Sequence, residues 1–300
     1  MASIQSRILT FWFRQNKYLA NKKYTPPQMR ERMEQSQRFF KLHKDVQNEA
    51  VQAGSVPAEW SIPNGAPGDA AILYIHGGAW YMGSPRTHRG MVSHLCYASG
   101  VNALSIDYRL APENPFPAGL EDCLTAFEWL QAQGIPARRI VLAGDSAGGN
   151  LSLALLVELK AAGKPLPAGA VALSPATDLA SQRESYTTRH KVDPVLANLG
   201  STSIVSDYIR DHDPHEPTIS PIYADLQGLP PILIHVGENE VLLDDAVGFV
   251  ARARAAGVEA QVKVWPEMFH VFQIFVPWLP EARQAISEIG EFIRARIRTG

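Results

Sequence analysis

The sequence predicts an α/β protein with a mostly parallel central sheet, helices on both faces and a helical cap. Apolar runs of strand length alternate with stretches of helical periodicity along most of the 300 residues. Strands that alternate with helices form right-handed βαβ units, and such units make the strands parallel. Apolar residues are 46% of the chain, which allows a sizeable buried core.

The predicted elements follow from local patterns in chain order. Helical periodicity runs to about residue 43, and two strands around a Gly54–Ser55 turn follow over 46–63. Apolar runs typical of buried strands predict further strands at 70–76, 101–107, 139–143, 168–175, 230–237 and 259–265. Helical patterns lie between them at 87–99, 118–134, 150–162, 242–256 and 280–298.

The alternation of strands and helices breaks once, between about residues 178 and 216. This insertion contains no clear strand, and we expect it to form the cap together with the helices of residues 1–43. No repeat, low-complexity tract or linker divides the chain. Residues 1–300 are therefore predicted to be a single domain.

Composition argues against several classes of partner. With 28 basic and 30 acidic residues, the net charge is −2, so no strong overall field favours nucleic acid or an anionic membrane. Two cysteines, Cys96 and Cys123, are too few for a disulfide framework, and both lie in amphipathic helix patterns. We expect two buried thiols and a small-molecule ligand, with a homodimer possible.

The N-terminal segment resembles neither a secretion signal nor a membrane anchor. Its apolar run from Ile8 to Phe13 is broken by Thr10 and is shorter than the ~7–15 residues of a signal core. No stretch approaches the ~20 apolar residues of a transmembrane segment. We expect a cytoplasmic protein whose first helix packs on its own domain. A helix that lines a binding site or touches a membrane surface is the alternative.

One short motif points to nucleophilic chemistry. Gly144-Asp145-Ser146-Ala147-Gly148 fits G-x-S-x-G between a predicted strand and a predicted helix, the context that a nucleophile elbow requires. The glycines allow a sharp turn that exposes the Ser146 hydroxyl. A serine hydroxyl needs a base to take its proton, so a histidine and a carboxylate should follow in chain order.

Two histidines follow both Ser146 and the insertion. His235 lies within an apolar strand and is expected to be a core residue, whereas His270 lies in a loop after a strand, where catalytic groups are commonly placed. The carboxylate should leave the end of the preceding strand, where the sequence offers Glu238, Glu240, Asp244 and Asp245. Asp244 and Asp245 fall in the next helix and are expected to face solvent or its first turn. Spacing alone does not separate Glu238 from Glu240.

A Gly-Gly pair after the strand at 70–76 predicts an oxyanion hole. Gly77 and Gly78 would let bare backbone N–H groups face a substrate, and the N–H of Ala147, next to the nucleophile, would be the third donor. A tight turn after the strand is the alternative explanation of the pair.

These blocks resemble the bacterial hormone-sensitive-lipase-like esterases of the α/β-hydrolase fold, and the resemblance covers nearly the whole chain. The similar blocks are YIHGGAWYMGS, DYRLAPENPFPAGLED, GDSAGGN and SPIYADLQGLPPILIHVGENEVLLDDA. The resemblance implies Ser146 as nucleophile, His270 as base and Glu240 as acid, in a subgroup with Glu where the family usually has Asp. It also implies Gly77, Gly78 and Ala147 as donors, and it strengthens the prediction of a cap.

The resemblance implies a serine carboxylesterase for short-chain esters that needs no metal and no organic cofactor. A lactone hydrolase or an amidase with the same triad is the alternative within this chemistry. A non-catalytic small-molecule-binding protein on the same fold is the alternative from another class. Five aromatic residues are expected either to line a modest apolar pocket or to pack in the core: Trp80, Tyr81, Tyr186, Tyr208 and Phe269.

Overall fold

An eight-stranded sheet runs through the centre of the protein. The computed structural model describes residues 2–20, 24–180, 183–196 and 204–299. The strands are β1 (Val46–Ala53), β2 (Val56–Pro63), β3 (Ala71–Ile75), β4 (Asn102–Ile106), β5 (Ile140–Asp145), β6 (Gly169–Leu173), β7 (Ile232–Gly237) and β8 (Ala260–Trp265). Their order across the sheet is β1-β2-β4-β3-β5-β6-β7-β8. β2 is antiparallel to both β1 and β4, and the strands from β4 to β8 across the sheet are parallel.

Helices connect the strands, as the alternating pattern predicts. Within the described residues they are α1 (Ile4–Ala20), α2 (Pro26–Ser36), α3 (Pro85–Ser99), α4 (Ala118–Ala132), α5 (Ala147–Ala161), α6 (Ser185–Thr188), α7 (Ile204–Ile209), α8 (Leu243–Ala255) and α9 (Pro280–Thr299). Each strand and each helix predicted after residue 43 is present. The largest difference is α5, which begins three residues earlier than predicted because the helix starts directly after Ser146.

Helices cover both faces of the sheet because side chains alternate along each strand. On β3, Leu73 and Ile75 belong to the apolar cluster that includes α4, α5 and α8. Ile72 and Tyr74, between them, belong to the cluster that includes α3 and α9. The predicted α/β architecture, with helices on both faces of a mostly parallel sheet, is therefore confirmed. Both cysteines are buried free thiols, as predicted.

The first helix packs on the loop between β8 and α9. The Ser3 hydroxyl donates to a Glu281 carboxylate oxygen at 2.8 Å, and the rings of Phe13 and Phe269 meet edge to face with centroids 5.4 Å apart. Leu9 and Phe13 are partly buried against the same apolar cluster as α9. The helix thus rests on the segment that contains His270.

The predicted insertion contains the two short helices α6 and α7. The Tyr208 ring of α7 stacks on Trp80 with centroids 4.5 Å apart, and the Tyr208 carbonyl accepts the N–H of Phe116 at 2.8 Å. Parts of the predicted cap, at 21–23, 181–182 and 197–203, lie outside the described residues. The cap itself stays a prediction.

Candidate active site

Ser146 occupies a sharp turn between β5 and α5. Its backbone has φ 53° and ψ −118°, and its N–H donates to the carbonyl of Leu173 at 2.7 Å. Two glycines allow the backbone segments at this turn to approach each other closely. A Cβ on Gly148 would lie 2.0 Å from the Ile75 carbonyl oxygen, and one on Gly144 would lie 2.4 Å from the Gly148 oxygen. The chain passes too close to itself for any side chain at these two positions, so the glycines of the motif are required sterically.

Three residues from the carboxyl ends of different strands meet at this turn. His270 Nε2 lies 2.9 Å from the Ser146 hydroxyl oxygen, and His270 Nδ1 lies 2.7 Å from Glu240 Oε2. Ser146 follows β5, Glu240 follows β7 and His270 follows β8. The structure therefore brings together the three residues that the sequence analysis predicted as a triad.

The Glu240 carboxylate is fully buried and held from both sides. Its Oε1 atom accepts from the Gly237 N–H at 2.5 Å and from the Ser174 hydroxyl at 2.7 Å. Its Oε2 atom faces His270 Nδ1, so a carboxylate there requires a proton on Nδ1 and leaves Nε2 to accept the serine proton. Burial alone would lower the pKa of His270, but the charge and hydrogen bond of Glu240 outweigh it and raise that pKa above 6.5.

The other three carboxylates considered for the acid have different partners. Glu238 accepts from the N–H of Glu267 at 3.0 Å, and Asp244 accepts from the N–H of Ser185 at 2.8 Å. Asp245 was expected to face solvent or the first turn of its helix, and that expectation is wrong. It is fully buried and accepts from the N–H groups of residues 177 and 178, because the chain after β6 packs against this side of α8.

The Gly-Gly loop shows that one predicted oxyanion donor must be corrected. The N–H of Gly77 donates to Asp145 Oδ1 at 3.0 Å and is therefore not available to a substrate. A Cβ on Gly77 would lie 2.1 Å from Asp145 Oδ2, so the loop and the elbow are in direct contact. Gly78 follows with φ 120° and Ala79 with φ 57°. Neither of their N–H groups donates a hydrogen bond within the part of the chain that the structure describes.

Residues 72–274 match the family model of the alpha/beta hydrolase fold. An acetyl-hydrolase from Streptomyces hygroscopicus is 44% identical over 252 residues, which are 84% of each chain. An esterase from Acinetobacter venetianus is 36% identical over 268 residues, covering 89% of this chain and 88% of the relative. The crystal structure of an esterase from the bacterial hormone-sensitive lipase family superposes with a TM-score of 0.94 at 45% identity, covering 99% of this chain and all of that one. The chain belongs to the bacterial hormone-sensitive lipase family.

Membership of the hormone-sensitive lipase family confirms the predicted α/β-hydrolase fold and the predicted class of enzyme, a carboxylic ester hydrolase. The assignment of Glu240 to a subgroup with a glutamate acid stays a prediction. His235, the second histidine considered, lies within β7 and is buried, and burial lowers its pKa to about 4. It is a neutral core residue, as predicted.

In this family member, a buried cluster joins the elbow to the Gly-Gly loop. Asp145, the residue before the nucleophile, accepts from the Tyr74 hydroxyl at 2.6 Å as well as from Gly77, and His88 Nε2 lies 3.4 Å from its Oδ2 atom. Burial favours the neutral acid, but the charge and hydrogen bond of His88, the hydrogen bond from Tyr74 and the charge of His76 together outweigh it and hold the pKa of Asp145 below its usual value. Asp145 is thus an ionised anchor for the loop.

Three further residues around the esterase site were not predicted from the sequence: Asp145, Ser174 and Asp193. Ser174, with φ 49°, follows β6 and donates to Glu240. Asp193 is fully buried and accepts from the N–H of Val241, the residue after Glu240, at 2.9 Å. The position of Asp145 inside the motif and of Ser174 at a strand end were available signals, whereas nothing in the sequence marks Asp193.

Four of the five aromatic side chains considered for a pocket are buried in the esterase. Trp80 and Tyr208 stack on each other, the Tyr81 hydroxyl donates to Asp207, and Phe269 packs between Phe13 and Phe275. Their rings contribute to packing around the site, which is the second of the two expectations. Among the described residues, no group of three or more His, Cys, Asp or Glu side chains is placed to hold a metal.

Proposed function

We propose that this serine carboxylesterase hydrolyses short-chain esters through a triad of Ser146, His270 and Glu240. The observation that carries the proposal is the unbroken hydrogen-bond chain from the Ser146 hydroxyl to His270 at 2.9 Å and on to Glu240 at 2.7 Å. A nucleophile, its base and the group that orients the base are thus in contact with one another.

The reaction would proceed in two halves. Ser146 Oγ bonds to the ester carbonyl carbon while its proton passes to His270 Nε2, and the carbonyl oxygen becomes an oxyanion. As the ester C–O bond breaks, His270 returns that proton to the leaving alcohol. A water molecule then attacks the acyl carbon and loses a proton to His270. The bond between that carbon and Ser146 Oγ breaks as His270 gives the proton to Oγ, which releases the acid product and restores the serine hydroxyl. Glu240 stabilises the imidazolium in both halves.

The donors for the oxyanion would be the N–H groups of Gly78, Ala79 and Ala147. Ala147 begins α5, and the first N–H groups of a helix have no partner within the helix. Ala79 replaces Gly77 in this proposal because the Gly77 N–H is used by Asp145. Gly77 would instead fix the loop, so that the two N–H groups after it face the reacting carbonyl.

Two similar proteins support a preference for small acyl groups. The relative from Streptomyces hygroscopicus is named an acetyl-hydrolase. A solved structure with a TM-score of 0.94 and 41% identity was soaked with p-nitrophenyl butyrate.

The test is a series of p-nitrophenyl esters from acetate to dodecanoate, with kcat/KM measured for each. We expect acetate and butyrate to exceed dodecanoate by at least about tenfold, since a chain that does not fit loses its binding free energy. A preference for dodecanoate would overturn the short-chain assignment and leave the triad unaffected. A panel of lactones and amides in the same assay separates the alternative substrates.

The partner of this site would be a small ester. The predicted cytoplasmic location and the homodimer stay predictions, and size-exclusion chromatography with light scattering tests the second.

A further inference from the structure

The first helix exposes an unusual number of large apolar side chains. Ile4, Ile8, Phe11 and Trp12 are 73%, 56%, 63% and 56% exposed. Their spacing of i, i+4, i+7 and i+8 places them on one face of α1. The opposite face, with Leu9 and Phe13, packs on the apolar cluster beneath. The outer stripe therefore keeps more than half of each side chain exposed, and a contiguous apolar patch of this kind marks an interaction site.

The charged residues of the N-terminal segment itself have one sign. Residues 1–23 contain five basic residues and no acidic residue, in a chain that has 28 basic and 30 acidic residues in total. Arg7 and Arg14 are exposed on α1 and lie along one side of the apolar stripe. The nearly neutral net charge of the protein thus conceals a locally cationic segment.

We propose that α1 docks the enzyme on an anionic lipid surface. A helix with an apolar stripe, a flank of basic residues and no acidic residue fits the interface of such a surface, with its apolar side chains among the acyl chains and its arginines among the head groups. The helix has 17 residues, and no helix in the described residues is long and apolar enough to cross a membrane, so α1 would lie in the surface plane.

The docking face lies directly above the active-site loop. The inner side of α1 contacts Met268 and Phe269, the residues immediately before His270, through Ser6 and Phe13. An ester dissolved in the lipid would therefore meet the protein close to the catalytic histidine. Binding of α1 to a lipid surface does not depend on the roles proposed for Ser146 and Glu240, so the two can be tested separately.

The experiment is co-sedimentation of the full chain with sucrose-loaded vesicles. Phosphatidylcholine vesicles with about 30% phosphatidylglycerol are compared with pure phosphatidylcholine vesicles at low and high salt. We expect binding to the anionic vesicles, weakened at high salt. The double substitution Ile8→Ser and Phe11→Ser should lower the partition coefficient at least about tenfold, and Arg7→Glu should lower it severalfold.

The matched control is Phe39→Ser, which removes a 71% exposed apolar ring outside α1 and should leave binding unchanged. Hydrolysis of p-nitrophenyl acetate in solution should be the same in all these variants, because the substituted side chains face away from the site. Equal binding to both kinds of vesicle would overturn the anionic assignment. If the protein binds neither kind of vesicle, the proposal is wrong and the face is simply exposed. If the protein is a dimer that the double substitution converts to a monomer, the proposal is also wrong and the face is an interface between copies of this chain.

Discussion

Replacing Glu240 by glutamine should change which nitrogen of His270 has the proton. The Gly237 N–H donates to Glu240 Oε1 at 2.5 Å, and an N–H group requires an oxygen as its partner. The glutamine must therefore keep its oxygen at that position and turn its NH₂ group toward His270 Nδ1. Nδ1 then accepts instead of donating, and the ring proton moves to Nε2, opposite the Ser146 hydroxyl. A histidine in this tautomer does not take the serine proton.

The size of the loss follows from this change of tautomer. The equivalent amide substitution in a serine protease costs about 10⁴ in kcat, about 5.4 kcal/mol of barrier at 1.36 kcal/mol for each factor of ten. We expect about the same loss for Glu240→Gln, because the nearby carboxylates Glu238, Asp244 and Asp245 are held by backbone N–H groups elsewhere. Turnover of p-nitrophenyl butyrate under saturating conditions measures it, and KM should change little.

The matched control is Asp244→Asn, which also removes one negative charge near the same loop. Its carboxylate bonds to the N–H of Ser185, so we expect less than about a tenfold loss. Circular dichroism and thermal melting show whether both variants fold alike. If Asp244→Asn loses most of its kcat while Glu240→Gln keeps its own, the assignment of the acid is wrong. The roles proposed for Ser146 and His270 would be unaffected.

Five further results are expected. Ser146→Ala should abolish hydrolysis without loss of fold, and a fluorophosphonate should label Ser146 in the native protein, as mass spectrometry of peptides can show. Because the pKa of His270 is raised above 6.5, kcat/KM should fall with decreasing pH through a midpoint above 6.5, and a pH–rate profile tests this. Gly77→Ala should lower kcat at least about tenfold with a small change in KM, since its Cβ would meet Asp145 at 2.1 Å and displace the oxyanion loop; an unchanged kcat would contradict this. Asp245→Asn should raise Tm by a few degrees at pH 9 and less at pH 4 in calorimetric scans. Burial raises the pKa of Asp245 to about 8, so the native state loses stability as the pH rises from about 4 to about 8, and the substitution removes this loss.

Residues whose roles follow from strand order could be predicted from the sequence. Ser146 and His270 lie at the ends of parallel strands, and the carboxyl ends of such strands meet at one edge of the sheet. The helical pattern also set Asp244 and Asp245 aside as the acid, and the resemblance favoured Glu240. Spacing alone could not separate Glu238 from Glu240, because the choice depends on which carboxylate finds another donor, and the donor to Glu238 is the N–H of Glu267, 29 residues further along the chain.

Gly77 and Asp245 show why the sequence alone could not predict the hydrogen-bond partner of the loop N–H or the burial of the helix carboxylate. The direction of the Gly77 N–H is set by the Asp145 side chain, 68 residues further along the chain. Asp245 is buried because the segment after β6 folds over α8 and needs an acceptor for two of its N–H groups. A helical pattern reports how apolar a face is, but it does not report where a neighbouring loop has unpaired donors.

The packing of α1 on the His270 loop has a consequence for the time at which the enzyme becomes active. The contacts Ser6–Met268 and Ser3–Glu281 join residues 262 and 278 positions apart. A ribosome adds about 5–20 residues per second, so on the order of ten seconds or more separates the synthesis of α1 from that of its partner. During that interval the inner face of the helix lacks its native contacts with Met268 and Phe269, and the histidine does not yet exist. Assembly of the active site is therefore among the last events of folding, and a chaperone or a lipid surface has first access to α1.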